Sequence, residues 1–202
     1  MSDEAVAAIR AGQLVVLPTD TVYGLCCDGY REAPFRRLAR LKGRPATMPV
    51  ALLGADLDVL LDAVPEALGR AAVVARALLP GPYTLVLPNP ARRFRWLCGR
   101  TPEAIGVRVP DLPPASKAVV ERVGIVAATS ANVHGGPDPA RLEDVPPEIL
   151  DGCGALVDAG ELPGTPSTVV DLTGPDPVVL REGAVPAEQV LAEVRGVLGH
   201  EA

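Results

Sequence analysis

The sequence predicts a single α/β domain built on a twisted, mixed parallel and antiparallel sheet with flanking helices. Short apolar, β-branched segments recur along the 202 residues, and helical patterns lie between several of them. The last two apolar segments are joined by the turn sequence GPDP, which favours an antiparallel pair. With 48% hydrophobic and 22% charged residues the chain is expected to fold, and we expect one domain over residues 1–202.

The elements follow from these patterns in chain order. The segments predicted to be strands are QLVVL (13–17), PVALL (49–53), YTLVL (83–87), AIGVRV (104–109), GIVAAT (124–129), GALVDAG (154–160), STVVDL (167–172) and PVVLR (177–181). The segments predicted to be helices are 4–10, 33–41, 66–79, 115–123 and, begun by Pro186, 187–198. The Gly- and Pro-rich residues 135–147 are predicted to form a long surface loop.

Composition excludes several classes of protein. No segment offers about twenty uninterrupted apolar residues, and the N-terminus MSDEAVAAIR is acidic, so we expect no membrane association and a cytoplasmic location. The four cysteines lack a CxxC spacing and are expected to be reduced thiols; they are Cys26, Cys27, Cys98 and Cys153. Two histidines, His134 and His200 near a C-terminus expected to fray, exclude a His-rich metal site.

The net charge of −6 conceals a regional asymmetry. Between Arg31 and Arg122 there are 15 lysines and arginines against 8 aspartates and glutamates, whereas residues 123–202 hold 3 against 13. A basic middle suits contact with phosphates or nucleic acid, and the acidic overall balance argues against a dedicated nucleic-acid protein.

Polar side chains stand at the ends of several predicted strands. After QLVVL comes PTDTVYGL, in which Thr19, Asp20, Thr21 and Tyr23 are candidates for a site, because ligands of open α/β sheets bind at strand ends. The same stretch is also compatible with ordinary turn chemistry.

The stretch LKGRPATMPVALL ends a predicted helix with Lys42 and Arg44 before a proline. A point charge beside a planar guanidinium suits a polyphosphate, although both cations could simply complement the helix dipole.

Further hydroxyl, amide and cationic groups occur in ATSANVHGGP, PGPYT, PSTVVD and VLREG. A P-loop, GxGxxG after a strand, GxSxG, HExxH and an obvious Ser/His/Asp or Cys/His set are all missing from the sequence. An enzyme with this set of residues is expected to act by positioning its substrates and neutralising phosphate charge.

In the order and spacing of its motifs, the sequence from about residue 14 to 183 resembles the YrdC family of threonylcarbamoyl-AMP synthases. The motifs that carry the resemblance are PTDTVYGL, KGRP, PGPYT, ATSAN with GGP behind it, PSTVVD and VLREG. The resemblance implies a basic concave cleft enclosed by the sheet and helices. It also implies formation of threonylcarbamoyl-AMP and pyrophosphate from L-threonine, bicarbonate and ATP with Mg²⁺. A partner complex would transfer the threonylcarbamoyl group to tRNA.

The resemblance also implies roles for individual residues. Lys42 and Arg44 would hold the ATP phosphates and stabilise the charge of the leaving group. The residues implied to contact or enclose threonine are Thr21, Tyr23, Ala128 and Ser167, and those implied to complete the ATP site are Thr84, Ser130, Asn132 and Arg181.

The chain departs from the family pattern at three places. Many longer members carry His at the position of Leu53 and Asn at that of Met48, and His134 replaces a serine of SANxSG. We expect His134 to be a solvated loop residue. The chain ends soon after VLREG, so it is expected to resemble the short, single-domain members.

Two other functions fit parts of the sequence. An RNA-binding module would explain the basic middle, but 3% aromatic residues and the acidic C-terminal third oppose it. Any RNA binding is expected to be weak, salt-dependent and indifferent to sequence. A carbamoyl-adenylate enzyme of the hydrogenase-maturation type is disfavoured, since no acylphosphatase or zinc-finger segment precedes the motifs.

Overall fold

The computed structural model of the protein describes residues 2–65 and 67–199. The strands are β1 (Leu14–Pro18), β2 (Tyr23–Asp28), β3 (Ala51–Gly54), β4 (Tyr83–Pro88), β5 (Ala104–Arg108), β6 (Ile125–Ser130), β7 (Cys153–Leu156), β8 (Thr168–Asp171) and β9 (Val178–Arg181). The α-helices are α1 (Ser2–Arg10), α2 (Glu32–Leu41), α3 (Leu57–Ala63), α4 (Arg70–Leu78), α5 (Pro114–Val123), α6 (Pro147–Asp151) and α7 (Ala187–Gly199).

The strands form one mixed sheet in the order β7-β1-β2-β6-β3-β5-β4-β8-β9. Three neighbouring pairs are parallel, namely β1 with β7, β3 with β5 and β4 with β8, and the others are antiparallel. Parallel neighbours need long crossover connections, and the one from β7 to β8 carries the chain across most of the sheet. The predicted mixed α/β sheet with flanking helices is confirmed.

One face of the sheet is buried along its whole width. Leu52, Val107, Leu85 and Val170 form one row across β3, β5, β4 and β8, and each is fully buried. They belong to the larger hydrophobic core, which includes apolar side chains of α2, α4 and α7. Every strand that crosses this row therefore needs an apolar residue at that position.

The other face is covered over only part of its width. A second core packs α1 and α5 onto the strands from β7 to β3, through residues such as Ile9, Val119, Leu17 and Val126. On β4, β5 and β8 the burial alternates strictly, and the side chains that point to this second face are only half-buried. The uncovered part of this face, over β5, β4, β8 and β9, is therefore open to a ligand.

Each predicted strand is present, with ends that differ by up to a few residues. The structure adds β2, whose residues were predicted as part of a turn, and the helices α3 and α6. The helix predicted over 66–79 begins at Arg70, after Gly69 with a positive φ of 63°; Glu66 and His200 lie outside the described residues. The predicted loop 135–147 holds a short 3₁₀ turn, Leu142–Asp144.

Two further predictions, made from the composition, concern the state of the cysteines and association with a membrane. All four cysteines are free. Among the described helices none has the length and the apolar character that a membrane span requires.

Thr168 fastens the C-terminal part of the chain to the sheet. Its buried hydroxyl donates to Val185 O at 2.6 Å and accepts from the backbone N–H groups of Gly183 (3.1 Å) and Val185 (3.0 Å). This hydroxyl therefore satisfies three backbone groups between β9 and α7.

The variant Thr168→Val should lower the free energy of unfolding by at least about 2 kcal/mol, because it keeps the side-chain shape but leaves those backbone groups without a partner. Urea denaturation measures the change. The exposed Thr165→Val is the control and should stay within about 0.5 kcal/mol of the parent. A loss below about 1 kcal/mol for Thr168→Val would contradict this account.

Candidate active site

A cavity of about 400 Å³ lies on the open part of the second face. Its floor is made by small or apolar side chains in the register of the sheet, with Ala51 on β3, Gly106 on β5 and Val86 on β4. A Cβ added to Gly106 would meet no heavy atom closer than 3.6 Å, so this glycine is not required by crowding and instead leaves room above the sheet. The charged residues that line the cavity are Arg44, Arg108, Asp171 and Arg181.

The sheet brings together site residues from motifs far apart in sequence. Thr84 on β4 pairs with Val169 on β8, which pairs with Arg181 on β9, and all three line the cavity. The Thr84 and Ser167 hydroxyls are 2.8 Å apart, and Arg181 donates to Ser167 O at 2.8 Å. The predicted site residues that line the cavity are Arg44, Thr84, Ala128, Ser130, Ser167 and Arg181.

The turn between β1 and β2 is held by its own hydroxyl groups. Thr19 Oγ1 donates to Val22 O at 2.7 Å and lies 3.1 Å from Thr21 Oγ1. Thr19 lines the cavity, whereas Thr21 is 1% exposed and does not. The two threonines of PTDTVYGL therefore shape the turn itself, and a direct contact between Thr21 and a substrate stays a prediction.

Arg108, which is not among the site residues predicted from the sequence, connects this turn to the centre of the sheet. Its Nη2 donates to Asp20 Oδ1 and, at 2.5 Å, to Thr21 Oγ1, while its buried Nε has no partner among the described residues. Burial lowers the pKa of Arg108 and raises the pKa of Asp20, and each charge offsets part of the other's shift. The available signal was a single cation inside the apolar strand AIGVRV.

Arg44 enters the cavity from the segment after α2. Its guanidinium donates to Thr129 Oγ1 at 3.1 Å and to Pro49 O at 2.7 Å, and burial lowers its pKa. Its Nε is buried and, like that of Arg108, has no hydrogen-bond partner in the described part of the chain. An N–H group of this kind costs free energy unless a ligand or water accepts from it.

Lys42 and Asn132 are close to the cavity but do not line it. The Lys42 ammonium donates to Ser130 O, to Asn132 O at 2.8 Å and to Asn132 Oδ1, and the lysine is 3% exposed. Burial, reinforced by the charge of Arg44, lowers the pKa of Lys42 to about 8. Lys42 thus holds the ATSAN loop against the end of α2, and its contact with phosphate stays a prediction.

Tyr23 also acts away from the cavity wall. Its fully buried ring belongs to the larger core, and its hydroxyl donates to Asp158 Oδ1 at 2.7 Å or Gly160 O at 2.8 Å and accepts from Ala159 N at 3.0 Å. Burial raises the pKa of Tyr23 to about 12. Tyr23 therefore anchors the crossover from β7 to β8, which delivers Ser167 to the cavity. A contribution of Tyr23 to the threonine pocket stays a prediction.

The three departures from the family pattern differ in position. Leu53 lines the cavity, Met48 and His134 do not, and His134 is exposed on its loop.

Within residues 2–65 and 67–199 no group of three or more His, Cys, Asp or Glu side chains could hold a metal ion. A divalent ion would therefore need most of its ligands from a bound substrate and from water.

Sequence comparison finds relatives that match almost the whole of this chain. A Mycobacterium tuberculosis protein provisionally named threonylcarbamoyl-AMP synthase is 38% identical over 194 residues, covering 96% of this chain and 88% of that protein. The threonylcarbamoyl-AMP synthase of Pyrococcus abyssi is 37% identical over 198 residues, covering 95% of this chain and 57% of that protein.

A solved structure extends the comparison to the fold. The crystal structure of P. abyssi Sua5 complexed with L-threonine superposes with a TM-score of 0.85 at 34% identity, covering 96% of this chain and 56% of that one. This chain thus spans just over half the length of the archaeal proteins. The family model Sua5/YciO/YrdC, described as "Telomere recombination", matches residues 7–183. The chain belongs to the Sua5/YciO/YrdC family.

Proposed function

We propose that this chain is an L-threonylcarbamoyladenylate synthase, which forms threonylcarbamoyl-AMP and pyrophosphate from L-threonine, bicarbonate and ATP. The observation that carries the proposal is a pair of half-buried arginines that line one cavity, Arg44 and Arg108, whose buried Nε atoms lack partners among the described residues. They are suited to two anionic groups of the substrates, the carboxylate of an amino acid and the phosphates of a nucleotide.

Arg108 marks the amino-acid end of the cavity. Asp20 and Thr21 fix one side of its guanidinium, which leaves Nε available to a carboxylate that lies over the β1–β2 turn. Arg44, Ser130 and the Thr84–Ser167 pair would then face the phosphates. Lys42 would reach phosphate only by giving up a contact with Ser130 or Asn132.

The proposed reaction needs no nucleophile from the protein. The threonine amine and bicarbonate give a carbamate and water, and a carbamate oxygen then attacks the α-phosphorus as the bond to the β-phosphate oxygen breaks. The side chains hold the reactants in line and offset the charge that develops on pyrophosphate. Mg²⁺ would enter bound to ATP, since Asp171 is the single carboxylate among the described residues that line the cavity.

The product would be consumed by a partner. A tRNA-modifying transferase complex would move the threonylcarbamoyl group from the adenylate to tRNA, and we expect the chain to act in the cytoplasm, where these substrates occur. Direct RNA binding by this chain is expected to be weak and salt-dependent.

Pyrophosphate release by the purified protein tests the function. With Mg-ATP it should require both threonine and bicarbonate, and omission of either should reduce the rate to background, because the attacking carbamate contains both. Enzyme-coupled detection of pyrophosphate measures this. ATP turnover that persists without either co-substrate would overturn the synthase proposal.

Substitutions of Arg44 distinguish a contact with phosphate from a charge that only complements the end of helix α2. Arg44→Ala should lower kcat/KM for ATP on the order of a hundredfold, and Arg44→Lys should restore little of it, because a point charge does not replace the planar fork. The exposed Arg40→Ala, which removes a cation from the last turn of the same helix, is the matched control and should keep near-normal turnover. Wild-type kcat/KM for Arg44→Lys would remove Arg44 from the site.

Lys42 should titrate with a midpoint near pH 8, which ¹³C-lysine NMR can follow because the chain has only two lysines. The variant Lys117→Arg assigns the two signals.

The pKa of Lys42 in the folded protein lies below that of a lysine in the unfolded chain, about 10.4. The free energy of unfolding should therefore rise as pH increases from about 8 to about 10.4. Mg-ATP should raise the Lys42 midpoint by favouring the ammonium. A midpoint above pH 10, or one unaffected by Mg-ATP, would contradict the assignment.

A further inference from the structure

The side-chain amide of Asn132 connects the loop after β6 to two groups beside the cavity. Asn132 is 5% exposed, and its Oδ1 accepts from the Lys42 ammonium and, at 2.8 Å, from the Ser130 hydroxyl. Its Nδ2 donates to Gly136 O at 2.5 Å and to Asp138 Oδ1 at 3.3 Å. The amide therefore links the half-buried Asp138, which does not line the cavity, to Lys42 and Ser130.

The orientation of this amide decides what Lys42 and Ser130 meet. If the amide were turned over, its NH2 group would face the Lys42 ammonium, and two donors would oppose each other. The Gly136 carbonyl and the Asp138 carboxylate are both acceptors, so they require Nδ2 on their side. Asp138 is therefore one of two groups that direct the Asn132 acceptor towards Lys42 and Ser130.

The backbone around Asp138 is fixed. Pro137 and Pro139 flank it, and proline restricts both its own φ and the conformation of the residue before it. Pro139 is buried, and its carbonyl accepts from Tyr23 N at 3.0 Å, which ties the loop to β2. His134 N donates to Lys42 O at 2.8 Å, so the same loop is also fastened to the end of α2. The Asp138 carboxylate is thus held at a set place relative to Lys42.

Two charged groups act on the buried Lys42 ammonium. Burial lowers the pKa of Lys42, the positive charge of Arg44 lowers it further, and the negative charge of Asp138 raises it. The side chain of His134, on the same loop as Asp138, is exposed. Asp138 is therefore the group whose charge favours the ammonium over the neutral amine.

We propose that Asp138 is a positioning residue for the phosphates: through Asn132 it directs the Lys42 ammonium and the Ser130 hydroxyl, and its negative charge keeps Lys42 protonated near neutral pH. The inference rests on the proposed function and adds to it a residue that touches no substrate. Because Asp138 holds Nδ2, the Asn132 acceptor stays with Ser130 when Lys42 moves to a phosphate. The amide between them also keeps the carboxylate away from the phosphates, which it would repel at close range.

The titration of Lys42 tests the inference without turnover. Asp138→Asn keeps an acceptor for Asn132 but removes the charge, so in ¹³C-lysine spectra it should lower the Lys42 midpoint by about 0.5–1 pH unit from its value near 8. Asp138→Glu restores the charge and should stay within about 0.3 pH unit of the parent. Asp62→Asn removes an equal charge from an exposed residue of α3 and, as the matched control, should leave the midpoint unchanged. Urea denaturation should confirm that each variant is folded.

The pH dependence of pyrophosphate release distinguishes this role from a simple loop contact. In Asp138→Asn the alkaline fall of kcat/KM for ATP should move to lower pH by the same amount as the Lys42 midpoint, because only the ammonium binds phosphate. The loss relative to the parent should therefore be several-fold larger at pH 8.5 than at pH 6.5. A residue that only stabilises its loop would lower kcat/KM by the same factor at both pH values.

The outcomes separate this inference from the proposed function. An unchanged Lys42 midpoint in Asp138→Asn, or a loss of kcat/KM that is equal at pH 6.5 and pH 8.5, would overturn the inference and leave the synthase proposal intact. A midpoint that falls as expected, in a protein whose parent releases no pyrophosphate, would support the action of Asp138 on Lys42 and refute the proposed function alone.

Discussion

The cavity depends on an incomplete covering of one sheet face by helices. Helices pack along the full width of one face, whereas α1 and α5 cover the other only as far as β3. The free energy of folding is supplied mainly by the covered parts, which hold most of the apolar side chains. The strands at the open end can therefore carry polar and small residues on one side while their other side remains in the core.

This division explains how hydrophilic groups are tolerated in the middle of a sheet. Thr84 and Arg108 sit between fully buried neighbours on the same strands, such as Leu85 and Val107. The rigid backbone of those strands positions the polar groups, and no loop has to order them when a ligand binds. The buried guanidinium N–H groups without partners remain as a local free-energy cost, which an anionic ligand would remove.

Sequence patterns predicted the elements that rest on local alternation and predicted the site only in part. The alternating strands β4, β5 and β8 were evident, while β2 was not, because its residues YGLCCD combine turn and strand signals and its fully buried pairing on both sides is a tertiary property. Of the polar residues predicted as site residues, Arg44, Thr84, Ser130, Ser167 and Arg181 line the cavity. Which of them face the cavity was not predictable, because Thr21 and Lys42 are turned away by hydrogen bonds to residues distant in sequence.

The long crossover from β7 to β8 determines how late in synthesis the sheet and its binding surface can be completed. Leu14 on β1 pairs with Cys153 on β7, and Tyr83 on β4 pairs with Thr168 on β8, so both pairings join residues far apart in the chain. The first hundred residues contain β1 to β4, and the parallel partners of β1, β3 and β4, which are β7, β5 and β8, are all synthesised later. The binding surface is then completed in the last stage of translation, when Ser167 and Arg181 emerge, so truncated chains would lack part of it.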